Sequence, residues 1–219
     1  MLSSKKHVFW QALFLTILFF ALGFVMGIYL EQLRVNNVNY LFYQSETSLY
    51  DSFALGKLPE NPSISCDELK NANVDFANQI YDEAKQLEQF DESSKLTESL
   101  NTIHRKYDLL RTLLWMNVIN MKQKCQNTSV NTVVYLYEYN TNEIQKKSEQ
   151  IVWSRILQDL KKEKGDDVIL IPIAVDQEIV SLDYLIKTYD VGEYPAVVIN
   201  EKYVLYELKT TEELSNLFG

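Results

Sequence analysis

Residues 8–30, VFWQALFLTILFFALGFVMGIYL, are apolar almost without a break, and Gln11 and Thr16 are the polar interruptions. The run carries no charge. At ~1.5 Å per residue a helix of this length reaches about 34 Å, enough for a hydrocarbon core of ~30 Å. Trp10 and Tyr29 stand near its two ends, where an aromatic belt would sit. From residue 31 the pattern becomes mixed. Leu33, Val38, Leu41, Phe42, Leu49, Tyr50 and Phe53 recur at loosely helical spacing, although Asn36, Asn37 and Asn39 are poor helix formers. The spacing predicts a helix leaving the membrane with an apolar side that needs a partner. Gly56, Pro59 and Pro62 end it.

Two longer periodic runs follow. Ser65 is placed to cap a helix carrying Cys66, Leu69, Phe76, Ile80, Ala84, Leu87 and Phe90. A turn-like break at 91–95 precedes a second helix with Ile103, Tyr107, Leu110, Leu114, Val118, Met121 and Cys125, spaced like a coiled-coil seam. The short link predicts an antiparallel hairpin. Facing residues in such a pair keep a constant sum of numbers. Pairing Cys66 with Cys125 then puts the fold-back between residues 95 and 96, inside the predicted turn. A Cys66–Cys125 disulfide at the open end of the hairpin is therefore expected.

Beyond the hairpin the periodicity shifts to strands. Residues 131–139 are β-branched and aromatic, 143–164 read as a helix stopped by Gly165, and 168–175 form a second buried run. Asp176 is placed to cap a helix holding Ile179, Leu182, Leu185 and Ile186. A proline cannot donate to a sheet ladder, so Pro195 should open a strand over 196–199. A turn at 200–202 then leads to a partner strand over 203–208, and Thr210 or Thr211 caps a last helix. This order, with Tyr194-Pro195 at the head of the third strand, resembles the thioredoxin fold over residues 131–219. The resemblance implies a cis Tyr194–Pro195 bond facing the start of the first helix of that module. Family members carry Cys-x-x-Cys at that start. Here the matching place is residues 141–144, with Thr141 and Ile144 where the sulfurs would be. Dithiol exchange needs a thiolate and a resolving sulfur, and neither residue offers one.

The whole layout resembles small, uncharacterised, membrane-anchored thioredoxin-like proteins of archaea, with a helical hairpin opening near a Ser-Cys-Asp step, here Ser65-Cys66-Asp67. The expected fold class is α/β. A cytoplasmic tail (1–7) precedes a transmembrane anchor (8–30). A membrane-proximal helix and linker (31–62), a helical hairpin (63–127) and a thioredoxin-like domain (131–219) follow.

Charge and composition narrow the function classes. The chain has 219 residues and a formal net charge of −9, which argues against a nucleic-acid partner. Lys5 and Lys6 precede the apolar run and Glu31 follows it. The positive-inside rule therefore predicts a cytoplasmic N-terminus and a C-terminal domain outside the plasma membrane. The run is longer than the apolar core of a secretory signal and lacks an Ala-x-Ala-like site, which favours an uncleaved signal anchor over a cleaved peptide. Asn127-Thr-Ser129 is a glycosylation sequon. His7 and His104 lie far apart, and His104 beside Arg105 and Lys106 reads as a lone histidine on a solvated face. With six glycines and no phosphate-cradling loop, no cofactor and no metal is expected.

Two functions stay open. One is a redox-inactive, membrane-tethered binding or scaffold protein. It would meet lipid through residues 8–30 and a protein partner through the edge at Tyr194, Pro195, Thr141 and Ile144, with homo-oligomers forming through its helical segments. The other is a thiol-disulfide oxidoreductase using Cys66 and Cys125. The distance of that pair from Tyr194–Pro195 discriminates them.

Overall fold

The computed structural model describes residues 3–91, 97–126 and 129–218. The chain divides into two compact units, Met1–Tyr43 and Gln44–Gly219. Helix α1 spans Ser3–Lys57. In the first unit it carries His7–Leu33, 27 residues long and apolar enough to cross a membrane, with none of it buried.

The second unit combines helices with a small mixed sheet. Helices α2 (Cys66–Asp91) and α3 (Thr97–Lys124) pack along each other. The seam residues of α3 from Ile103 to Met121 are buried, as are Leu69, Phe76, Ile80 and Ala84 of α2. Contacts pair Cys66 with Cys125, Asn73 with Met121, and Glu83 with Tyr107, so the two helices run antiparallel. The fold-back at 95 and 96 lies outside the described residues. Ser65 and Glu68 form a reciprocal capping box at the head of α2.

The last turns of α1 depart from expectation. Tyr50 and Phe53 point to solvent, and the buried face is Ser45, Ser48, Ser52 and Leu55. Small side chains let α1 approach α3 closely. A Cβ at Gly56 would stand 2.7 Å from Asn117 Oδ1, and Asn117 Nδ2 donates to the Ser52 carbonyl at 3.0 Å. Close approach and hydrogen bonding outweigh aromatic burial on this face.

The sheet consists of β1 (Asn131–Tyr137), β2 (Val168–Ala174), β3 (Ala196–Ile199) and β4 (Tyr203–Leu205), in the order β2-β1-β3-β4. Strands β1 and β2 are parallel, and β3 is antiparallel to both β1 and β4. Helices α4 (Ile144–Lys164), α5 (Val180–Thr188) and α6 (Thr211–Ser215) complete the unit. Alternation along the strands separates two cores. Val133, Tyr135, Val197 and Ile199 pack with Trp153, Leu157 and Leu160 of α4 and Leu214 of α6. The opposite face, with buried Val134, Leu136, Ile171 and Ile173, lies toward α3, which α5 also contacts. Pro172 sits mid-strand in β2, which is tolerated because β2 is an edge strand.

Strand β4 ends at Leu205, earlier than its expected end at 208. The β3–β4 turn places Asn200 and Glu201 at φ of 50° and 56°, the left-handed pair that a tight hairpin requires. Neither is glycine, and α3 supplies the compensation. Lys122 Nζ donates to Asn200 Oδ1 and Glu201 Oε2, and Trp115 Nε1 donates to Glu201 Oε1.

Candidate functional site

The described geometry singles out the C-terminal end of β1. Leu136 pairs with Ala196, so Pro195 stands at the last residue of β1. The Tyr194–Pro195 bond is cis. Pro195 is buried and Tyr194 half-buried. Burial raises the Tyr194 phenol above its ordinary range, and the charges of Asp183, Tyr206 and Glu138 add to the shift. Glu138 is held by Lys146 of α4 at 3.0 Å. The Tyr206 hydroxyl accepts from the Gly192 N–H at 3.1 Å, which fixes the loop ahead of the proline.

The other expected edge residues are less engaged. Ile144 opens α4 and is 84% exposed. The Thr141 hydroxyl accepts locally from the Glu143 N–H at 3.4 Å. Glu138, Lys146 and Tyr206 belong to this end of the sheet and carry no motif that marks them in sequence.

Two expectations are corrected here. Asp176 does not cap α5, whose N-cap is Ile179. Its carboxylate instead accepts from the N–H groups of Tyr139 and Asn140 at 2.9 and 2.7 Å. These amides follow the end of β1, where the ladder no longer supplies acceptors, and an anion satisfies two of them at once. His104 is not a lone surface residue. Its ring lies 4.8 Å from that of Tyr139, and its Nε2 stands 3.3 Å from the tyrosine hydroxyl. Arg105 donates to the Glu178 carbonyl at 2.9 Å. Helix α3 thus holds both loops that frame this end of the sheet.

The sulfurs lie at the other end. Cys66 and Cys125 form a disulfide with Cα atoms 5.8 Å apart. One turn along from Cys66, Lys70 reaches Ser129 at 3.2 Å and Asp167 at 3.5 Å, just ahead of β1 and β2. Seven strand residues, roughly 20 Å at ~3.3 Å each, separate this end from Tyr194–Pro195. Asn127 lies outside the described residues. Among the described residues no three His, Cys, Asp or Glu side chains cluster to hold a metal.

Beneath the edge, Asp108 of α3 accepts from the Ala174 N–H and from Arg111, both at 3.1 Å. Burial pushes its carboxyl up to about 6, with the Arg111 charge and the Ala174 hydrogen bond opposing and Asp176 reinforcing. Desolvation outweighs the ion pair because both partners are withdrawn from water. The native state therefore keeps a proton between the ordinary carboxylate range and about pH 6 that the unfolded chain has released. Stability contributed at Asp108 is present at low pH and falls as pH rises through that window, by on the order of 3 kcal/mol. Urea unfolding at pH 4 and pH 7 should show this fall in the wild type and a flatter difference in Asp108→Asn. Parallel pH profiles for the two proteins would refute it.

Comparison of the chain with protein-family models, with curated proteins and with solved structures finds no match in any of the three.

Proposed function

We propose that this chain is a membrane-tethered, redox-inactive thioredoxin-like binding protein of the plasma membrane, with its C-terminal domain outside the cytoplasm. The observation that carries the reading is the separation of sulfur from the proline edge. The chain has two cysteines, and they are bonded to each other at the far end of β1 from Tyr194–Pro195. A thiol-disulfide enzyme would need them beside that edge. The sheet order and the proline ahead of β3 support the thioredoxin-like reading. The apolar His7–Leu33 segment supports the tether, and Lys5 and Lys6 support a cytoplasmic N-terminus. An extended peptide would dock beside Tyr194, with exposed Ile144 as its apolar contact.

The test uses the full chain in nanodiscs. It should reduce no insulin disulfides, and Cys125→Ser should trap no mixed disulfide through Cys66. Extended peptides selected from a displayed library should bind the wild type. Thr141→Arg with Ile144→Asp should weaken them at least tenfold without moving Tm, since both side chains make few contacts. Disulfide turnover, or peptide binding indifferent to both substitutions, would sink the reading.

A further inference from the structure

Two cavities of about 310 and 380 Å³ open between α2, α4 and the β2 edge of the sheet. They share Tyr81, Tyr135, Ser154, Gln158 and Pro172, so they form one continuous groove. Its floor is apolar, from Tyr135, Leu157, Leu170 and Pro172. Each volume lies at the lower end of the range for small-molecule sites. Tyr81 stands over one wall and is 57% exposed. An exposed aromatic beside an apolar floor is a surface that gains from being covered.

The charges around this floor are all of one sign. Lys85, Arg111, Lys147, Lys161 and Lys162 line the two cavities, and no aspartate or glutamate does. This is notable in a chain of net charge −9. Arg111 is engaged with Asp108, Lys162 with Asp159, and Lys161 with the carbonyls of Gly165 and Val168. Lys85 and Lys147, one on each wall, make no ion pair among the described residues. Both are exposed and flank the mouth. Two uncommitted ammonium groups over an apolar slot suit one kind of occupant, an apolar body ending in a single anionic head.

We propose that this groove binds a small single-chain amphipathic anion, a carboxylate or phosphate ester whose chain lies on Tyr135, Leu170 and Pro172 and whose head meets Lys85 and Lys147. The groove reaches Tyr137 at the end of β1, but Tyr194, Pro195, Thr141 and Ile144 line neither cavity. Tyr81 closes over the chain, and the head stays at the wet rim, where compact, strongly hydrated lysine charges recognise an anion without a rigid bidentate frame.

The probe is octyl phosphate, titrated calorimetrically into the full chain in nanodiscs of zwitterionic lipid, against empty discs. Sub-millimolar binding is expected from the wild type, with octanoate weaker and octyl glucoside indistinguishable from empty discs. Lys85→Glu with Lys147→Glu should weaken octyl phosphate at least tenfold, and Tyr81→Ala several-fold. All three positions are exposed, so Tm should hold, and it is measured alongside. The proposal is overturned if octyl phosphate binds no better than to empty discs. It is overturned equally if octyl glucoside binds as well, if charge reversal changes nothing, or if an acidic peptide binds tighter and displaces the probe.

Discussion

Cys66→Ala with Cys125→Ala, or reduction of the native bond, is expected to lower the stability of the chain by about 4 kcal/mol. The two residues are 59 apart in sequence, and closing a loop of that size removes about this much conformational freedom from the unfolded chain in the entropy model. The bond also ties the head of α2 to the residue that follows α3. Lys124 donates to the carbonyls of Asn61 and Ile64, and Lys70 bridges to Ser129 and Asp167. These are mostly exposed polar contacts of small worth. Against a typical total of 5–15 kcal/mol, a loss of this size is large. Urea unfolding of the full chain in micelles, with and without reductant, measures it. Titration of the denatured, unreduced protein should find no free thiol. An unchanged midpoint, or two reactive thiols, would count against the bond.

The second large effect is expected at Glu83. This buried carboxylate of α2 accepts from the Ser48 hydroxyl of α1 at 2.9 Å, from Gln79 at 3.0 Å and from the Tyr107 hydroxyl of α3 at 3.3 Å. It joins three helices through neutral donors. Burial holds the Tyr107 phenol above its ordinary range, and the charge and hydrogen bond of Glu83 add to the shift. Glu83→Ala removes the shared acceptor and leaves a void. Each stranded buried donor costs ~1–3 kcal/mol. Gln79 already donates to Ser48 at 3.0 Å, so part of the network re-pairs and the expected loss is about 3 kcal/mol. Glu83→Gln keeps an acceptor and should cost about 1 kcal/mol. A double-mutant cycle with Tyr107→Phe should show positive coupling between the two sites. Additive losses would mean that the two side chains do not share a hydrogen bond in solution.

Much of this architecture is legible in the chain itself, and the reason is that the signals are local. The apolar length of residues 8–30, the Ser65 and Thr210 caps, the Gly165 stop and the β-branched runs each act within one or two turns of their own backbone. The cysteine pairing is legible too, because helical periodicity and antiparallel register convert sequence distance into spatial position. Position by position, Glu83 also lies in the seam register, seven residues after Phe76. Its charge disguised it, since a carboxylate enters a core only when other elements bring donors to meet it. The same applies to Asp108, whose partner at Ala174 is 66 residues away. His104 finds Tyr139 across 35 residues, and Asp176 finds Tyr139 and Asn140 across 37 and 36. The basic, apolar-floored groove had no local signal at all. Tyr81, Tyr135, Lys147 and Pro172 come from four separate elements and become neighbours only when α2 docks beside β2. Local backbone preference determined the elements. Desolvation, which depends on every neighbour at once, decided which polar groups went inside and where the cavities were left.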